Sequence, residues 1–291
     1  MNTEERAVRY RGLDTWPDEE ILQALLERQF MALAAVNASL PAIERAATLA
    51  ASRLREGSGR LVYAGAGTSG RLAVLDAVEL VPTFGWPQER IVYLLAGGEQ
   101  ALVRSAESAE DEAQEGASLV ERAAVGPADV VVGVAASGTT RFTVSAVEES
   151  RRRGALTVGV ANNRSTPLLQ RAEVPVLLES GPEVIAGSTR LAAGTAQKVA
   201  LNLFSTLLMI RLGRVYSNLM VGVQTSNDKL VKRGVAMVSE IAGVPHEEAR
   251  RALRRAQGDV RLAVLLCKGY DLNRARSLLS ENGGNLREVI G

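Results

Sequence analysis

The chain has 291 residues, a formal net charge of +1, and 46% apolar residues against only 4% aromatics. That length builds one large domain, or one domain with a small appendage, and the balanced charge gives no footing for nucleic acid or an anionic membrane. A single cysteine, Cys267, excludes an internal disulfide and a thiolate metal cluster, while the charged start "MNTEERAVRYRG" and the lack of an apolar run of spanning length predict a soluble cytoplasmic protein.

Residues 18 to 56 read as helices. "DEEILQALLERQFMALAAV" opens with acids and repeats apolar residues three and four apart, and "PAIERAATLAASRLREG" does the same before stopping at Gly57. From Arg60 the pattern alternates. Short β-rich runs, "RLVYAGAG", "RIVYLLAGG", "DVVVGVAASG", "ALTVGVAN" and "VPVLLES", are separated by helical stretches. Repeated strand–helix crossover predicts a three-layer α-β-α fold around a parallel five-stranded sheet. The helix "STRLAAGTAQKVALNLFSTLLMIRLG" reads as buried on most sides. After Asn227, "HEEARRALRRAQGDVRLAVLLCKG" and "LNRARSLLSENGGNLREVI" predict short helices separated by Gly, Asp and Asn. The expected division is 1–56, N-terminal helices packing on the core; 57–227, the α/β domain; and 228–291, a small helical bundle resembling a UBA module.

The stretch "YAGAGTSGR" contains Gly65-x-Gly67-x-x-Gly70 at the end of the first strand. Glycines allow a tight turn and close approach to an anion at the following helix N-terminus. Two details argue against a dinucleotide. The acid expected about 20 residues on is missing: the second strand ends "LLAGGE", so Glu99 follows two glycines. The loop also carries Thr68 and Ser69, and a second loop, Ser137-Gly138-Thr139-Thr140, follows the third strand. Two Ser/Thr-Gly loops on one sheet edge suit a single phosphate, as in a sugar phosphate, better than a pyrophosphate.

"GAGTSGRLAVLDAVELVPTFG", "AGGEQALVRSAESAED", "VVVGVAASG", "GSTRLAAGTAQK" and "NLMVGVQTSNDKL" together resemble the motifs of the N-acetylmuramic acid 6-phosphate etherases. That family has a sugar isomerase (SIS) domain and is related to the glucokinase regulatory protein. The resemblance implies cleavage of the D-lactyl ether to give N-acetylglucosamine 6-phosphate, by a homodimer without metal or organic cofactor. It also maps the family's two catalytic carboxylates onto Glu79, as the acid that protonates the departing lactate oxygen, and Glu110, as the base that removes the C2 proton. The sequence departs from the family at Leu191 and Ala193, where methionine and lysine are usual, and at Thr139-Thr140, where Arg-Thr is usual.

The residues themselves leave more open. The one histidine, His246, lies in the C-terminal bundle and reads as an exposed first-turn residue, so carboxylates are the available acids and bases at the sheet edge. Glu79 sits late on the helix after the first loop, where apolar neighbours and Pro82 predict partial desolvation and a raised pKa; a helix-end acid paired with Arg71 is the plainer reading. In "AESAEDEAQE", read as part of the helix after the second strand, pattern alone does not separate Glu110 from Glu107, Asp111 or Glu112, because such a run is commonly a solvated face. Arg71 fits either a phosphate contact or a solvated helix start. Gly67, Thr68, Ser69, Ser137, Gly138 and Thr139 are the phosphate-loop residues. Glu183 and Ser188 fit a sugar contact, with a helix cap as the alternative, and Cys267 reads as core. A non-catalytic sugar-phosphate sensor and an aldose–ketose isomerase of the same fold are the competing functions.

Overall fold

In the computed structural model, residues 2–55, 57–104, 106–223 and 227–291 are described, without the side chains of Asn2 and Glu107. The chain forms two compact units, one of residues 1–77 and 89–205, the other of 78–88 and 206–291. Short 3₁₀ turns at Asn2–Glu4, Val8–Tyr10 and Leu13–Thr15 precede α1 (Asp18–Ala38) and α2 (Leu40–Arg55). There follow β1 (Leu61–Gly65), α3 (Gly67–Phe84), β2 (Ile91–Leu95), α4 (Ala113–Arg122), β3 (Val130–Val134), α5 (Arg141–Arg152), β4 (Leu156–Ala161), α6 (Pro167–Arg171), β5 (Val174–Leu177) and α7 (Ala192–Arg211). The closing helices are α8 (Asp228–Ala242), α9 (His246–Arg255), α10 (Val260–Cys267), α11 (Leu272–Glu281) and α12 (Leu286–Ile290).

The five strands are parallel in the order β2-β1-β3-β4-β5. Strands β1, β3 and β4 are buried along their whole length, which is why they read as continuous apolar runs rather than alternating ones. Alternate residues still divide between the two faces. Val62, Ala64, Leu94 and Val131 meet Val120 of α4 and Ala146 of α5 on one side. On the other, Val132, Val158, Val160 and Val176 face Ile43 and Ala46 of α2 and Ala200, Leu201 and Phe204 of α7. The alanines of α2 (Ala46, Ala47, Ala50, Ala51) are buried and allow close approach of helix to sheet.

Order reverses at β1, because the chain goes to β2 on one side and returns to β3 on the other. In parallel α/β sheets that switch point opens the ligand crevice beyond the strand ends. Gly65 is level with Leu95 and with Val134, so the loops after β1 and β3 start side by side there.

A buried carboxylate fixes α3 on the sheet. Asp76 accepts hydrogen bonds from Tyr63 Oη (2.8 Å), Asn202 Nδ2 (2.7 Å) and Ser205 Oγ (3.0 Å), joining β1, α3 and α7. Burial pushes the Asp76 carboxyl above the ordinary range against the opposing pull of these three donors. Nothing in the sequence pattern distinguished this acid from its neighbours.

In the second unit, α3 ends through Pro82 and Gly85, and Arg214 donates to the Gly85 carbonyl (3.1 Å) while its guanidinium covers the ring of the buried Trp86. Four of the Asp and Asn residues flanking the closing helices are N-caps. Asn227, Asp259, Asp271 and Asn285 each accept backbone N–H bonds from the first turn that follows. These helices enclose Val238, Val260, Ala263, Val264 and Ala275, with Cys267 at the half-buried edge rather than in the centre. His246 opens α9 and is exposed.

α7 differs from expectation twice. It begins at Ala192, not near Ser188, because residues 187–191 close tight turns on themselves, with Ser188 N–H on the Ile185 carbonyl (2.9 Å). It is also exposed along one face, at Leu203 and Ile210.

Replacing Asp76 with Ala takes the acceptor from buried Tyr63 Oη and half-buried Asn202 Nδ2, at about 1–3 kcal/mol for each group left orphaned, while Ser205 Oγ retains the Asn202 carbonyl at 3.4 Å. Asp76→Asn keeps an acceptor and removes the buried charge. In the parent, the folded state holds the Asp76 proton to higher pH than the unfolded chain does. The stability tied to this group is therefore present in acid and lost as pH rises through the folded pKa. Urea unfolding across pH 4–8 is expected to show a large loss in Asp76→Ala at every pH, and a flatter pH dependence in Asp76→Asn.

Candidate active site

The three glycines of the first loop have separate causes. A Cβ at Gly65 would lie 2.8 Å from Gly70 Cα, and one at Gly70 would lie 2.5 Å from Leu95 Cδ1 and 2.8 Å from the Gly65 carbonyl carbon. These two positions let α3 leave β1 in direct backbone contact, with Gly70 N–H on the Ala66 carbonyl (2.9 Å). Gly67 has φ +52°, and a Cβ there would lie 2.6 Å from Oε1 of Glu110. The bare backbone of Gly67 is what admits the carboxylate.

Glu110 reaches the loop by a route the sequence pattern hid. It lies in a 3₁₀ turn, Glu107–Asp111, ahead of α4 and not on that α-helix. Gly97 and Gly98, both at positive φ, turn the chain back just after β2. Ala101, Ala106 and Ala109 pack around the space a Gly97 side chain would fill, and Ala109 also packs on the buried cluster of Ala66, Ala96 and Phe142. The alanines point inward and carry half-buried Glu110 to the loop, while Asp111 and Glu112 are exposed. The side chain of Glu107 lies outside the described residues. The acidic run is therefore not a uniform solvated face.

Arg71 donates from Nε to the Ala101 carbonyl (2.8 Å) and from Nη2 to the Arg104 carbonyl (3.2 Å). Its fork thus grips the turn after β2. No pairing of Glu79 with Arg71 is seen among the described residues.

The second loop is held by its own hydroxyls. Thr139 N–H donates to Ser137 Oγ (3.1 Å), which lies 3.4 Å from Thr140 Oγ1. Gly138 has φ +70°, and a Cβ there would lie 2.6 Å from Thr166 Cβ, so no larger residue fits. Ser69 is buried, Thr68 and Ser137 are half-buried and Thr139 is exposed. The turn 136–138 is braced by Asn163, whose Nδ2 donates to the Ala136 carbonyl (3.0 Å) and to Thr3 Oγ1 (2.9 Å).

Glu183 is 1% exposed, and its two oxygens accept the N–H groups of Ala192 (3.0 Å) and Ala193 (2.8 Å). It caps α7, the alternative role that the sequence left open for both Glu183 and Ser188. Both carboxylate oxygens are thus engaged at a helix N-terminus, where a negative charge is favoured. Ala193 is fully buried.

Glu79 stands apart. It belongs to the second unit, near the end of α3, and is exposed. The desolvation expected from its apolar neighbours is absent because those neighbours, Leu75 and Val78, are exposed on the same helix face. The first unit thus gathers Gly67, Glu110 and Arg71 around one loop, with the Ser137–Thr140 loop beside it at the switch point, and does not include Glu79. A carboxylate resting on the glycine loop also disfavours a pyrophosphate there.

A parallel sheet in this strand order, with two hydroxyl–glycine loops at its switch point, defines the sugar isomerase class of domain. Residues 42–150 match the family described as the glucokinase regulatory protein N-terminal SIS domain, and residues 111–209 match the SIS domain family. A crystal structure of a putative phosphosugar isomerase from Bacteroides fragilis shares the fold, with a TM-score of 0.53 at 22% identity, covering 69% of this chain and 95% of that one.

The chain is 48% identical over 283 residues to the N-acetylmuramic acid 6-phosphate etherase of Deinococcus radiodurans, covering 97% of this chain and 92% of that protein. It is 45% identical over 290 residues to the one from Rubrobacter xylanophilus, covering 99% and 95%. It belongs to the N-acetylmuramic acid 6-phosphate etherase family.

Gly70→Ala is expected to lower stability by about 1–3 kcal/mol in denaturant unfolding, since the added carbon meets backbone and Leu95. Gly67→Ala is expected to cost about 1–2 kcal/mol from the left-handed backbone at φ +52°, and to displace the Glu110 carboxylate from the loop. A crystal structure of Gly67→Ala with Glu110 unmoved would contradict this.

Proposed function

We propose that the protein cleaves the D-lactyl ether of N-acetylmuramic acid 6-phosphate, as a carbon–oxygen lyase without a cofactor. Membership of the etherase family supports the reaction, and the Glu110 carboxylate on the Gly67 backbone is the observation that carries the site. An ether at C3 of a sugar resists simple hydrolysis at neutral pH. Ring opening exposes a C1 aldehyde that acidifies the C2 hydrogen. Glu110 takes that proton, the electron pair forms the C2–C3 double bond, and the C3–O bond breaks as Glu79 protonates the lactate oxygen. Water then adds at C3 and a proton returns to C2, giving N-acetylglucosamine 6-phosphate and D-lactate.

The phosphate is assigned to Ser137, Gly138 and Thr139, with Thr68 and Ser69 of the first loop beside it. Two anions repel at close range, so a carboxylate on Gly67 favours the second loop for the phosphate. Arg71 and Glu183 are left out of the substrate contacts, because their polar groups serve the fold as described above; Ser188 stays a proposed sugar contact. A sugar phosphate of cell-wall recycling suits a cytoplasmic enzyme; no helix among the described residues is long and apolar enough to cross a membrane.

The active form is proposed to be a homodimer. α1 exposes Leu22 (66%), Leu26, Phe30 (61%) and Leu33 along one stripe, and Leu75 and Val78 form another beside Glu79. Large apolar side chains at helical spacing call for a cover, and a second copy that covers α3 would supply the desolvation an acid needs. Family membership, not assembly, favours the etherase over a sensor or isomerase of the same fold.

Incubation with N-acetylmuramic acid 6-phosphate is expected to release D-lactate, which an enzymatic lactate assay detects; no release contradicts the reading. Ser137→Ala is expected to weaken substrate binding by about 1.5–3 kcal/mol, the worth of a hydrogen bond to a charged group, seen as a higher KM with kcat little changed. In sedimentation velocity the parent is expected as a dimer at micromolar concentration and Phe30→Asp as a monomer.

A further inference from the structure

Among the described residues, the turn after β2 buries little of its own surface. Of residues 99–104 only Ala101 is buried; Leu102 and Val103 are exposed, Val103 by 85%. Its backbone bonds close within the turn, from Val103 and Arg104 N–H to the Gln100 carbonyl and from Ala101 N–H to the Gly98 carbonyl. Arg71 ties it outward, with Nε on the Ala101 carbonyl at 2.8 Å and Nη2 on the Arg104 carbonyl at 3.2 Å. Arg71 and Gly67 lie four residues apart on α3 and so share a face of its first turns. One end of that face meets Glu110 and the other holds the segment that leads to Glu110.

We propose that Arg71 is a positioning residue: its guanidinium fork anchors the 99–104 turn to α3 and thereby holds the Glu110 carboxylate on Gly67. This rests on the reading of Glu110 as the base. A guanidinium is suited to the task because its donors diverge in a fixed plane and reach two carbonyls at once, which an ammonium on a flexible stem does not reproduce. The role differs from that of a phosphate ligand, the use that a basic residue just beyond a glycine loop first suggests. A phosphate ligand acts on binding through charge. A positioning residue acts on proton transfer through geometry, where a displacement of about 1 Å is enough to cost roughly 100-fold.

The test compares Arg71→Lys, Arg71→Gln, Glu110→Gln and the double variant Arg71→Lys/Glu110→Gln with the parent as full-length proteins. N-acetylmuramic acid 6-phosphate is supplied at saturation in deuterated water, and NMR follows both lactate release and exchange of the C2 hydrogen. Inhibition by N-acetylglucosamine 6-phosphate reports binding of the phosphate. Exchange and kcat are expected to fall together by roughly 10- to 100-fold in both Arg71 variants, with the inhibition constant within about twofold of the parent. Because Arg71 acts through Glu110, the double variant is expected to be no slower than Glu110→Gln alone. Should Arg71→Gln not fold, Arg71→Lys carries the comparison.

A parental exchange rate with an inhibition constant raised tenfold or more in Arg71→Gln, and restored in Arg71→Lys, would assign Arg71 to the phosphate and overturn the proposal. A further loss in the double variant, or parental rates in both Arg71 variants while Glu110→Gln is inactive, would overturn it and leave Glu110 as the base. Parental exchange in Glu110→Gln would instead remove the reading of Glu110, and this proposal with it.

Discussion

The contact between Glu110 and the bare backbone of Gly67 is the constraint around which the site is arranged. It exists because α3 departs from β1 at backbone contact distance, which glycines at 65 and 70 permit, and because two further glycines after β2 turn the chain back toward that loop. The sheet supplies the location: strand order reverses beside β1, so the two loops open into one crevice. The glycine pattern that resembles a dinucleotide fingerprint therefore serves a different end. It makes room for a side-chain anion from the protein itself.

Around this contact the polar side chains divide their work. Asp76, buried, locks α3 to β1 and α7, and Glu183 caps α7 at its start. Both are acids close to the motif residues, yet both are enclosed by hydrogen bonds and serve the scaffold. Glu110 is only half-buried, at the edge of the crevice. Burial thus separates the scaffold acids, 5% and 1% exposed, from the acid proposed for proton transfer more clearly than position in a motif does. Rigid placement of that acid is what a proton-transfer site requires, since the carboxylate must already lie within reach of the carbon it acts on.

Much of the fold was legible in the sequence because fully buried parallel strands leave unbroken runs of Val, Leu and Ala, each stopped by Gly, Ser or Asn, and because Asp and Asn announce the caps of the closing helices. The two loops were legible as glycines and hydroxyls at strand ends. Other features were not. The route of Glu110 depends on Ala101, Ala106 and Ala109 packing on Gly97, and alanines between acids look like any soluble helix. The start of α7 was hidden because its cap comes from Glu183, nine residues before Ala192, outside the local window in which Ser and Thr caps are sought. Glu79 was read as shielded because apolar neighbours in sequence were equated with burial, whereas Leu75 and Val78 turn outward with it in a single chain.

The geometry around the substrate tests the central claim most directly. A crystal structure of Glu79→Gln with N-acetylmuramic acid 6-phosphate is predicted to hold the phosphate on residues 137–139, with a Glu110 oxygen about 3–3.5 Å from C2 of the sugar. A phosphate seated on the Gly67–Gly70 backbone, with Glu110 swung away from the sugar, would contradict the account.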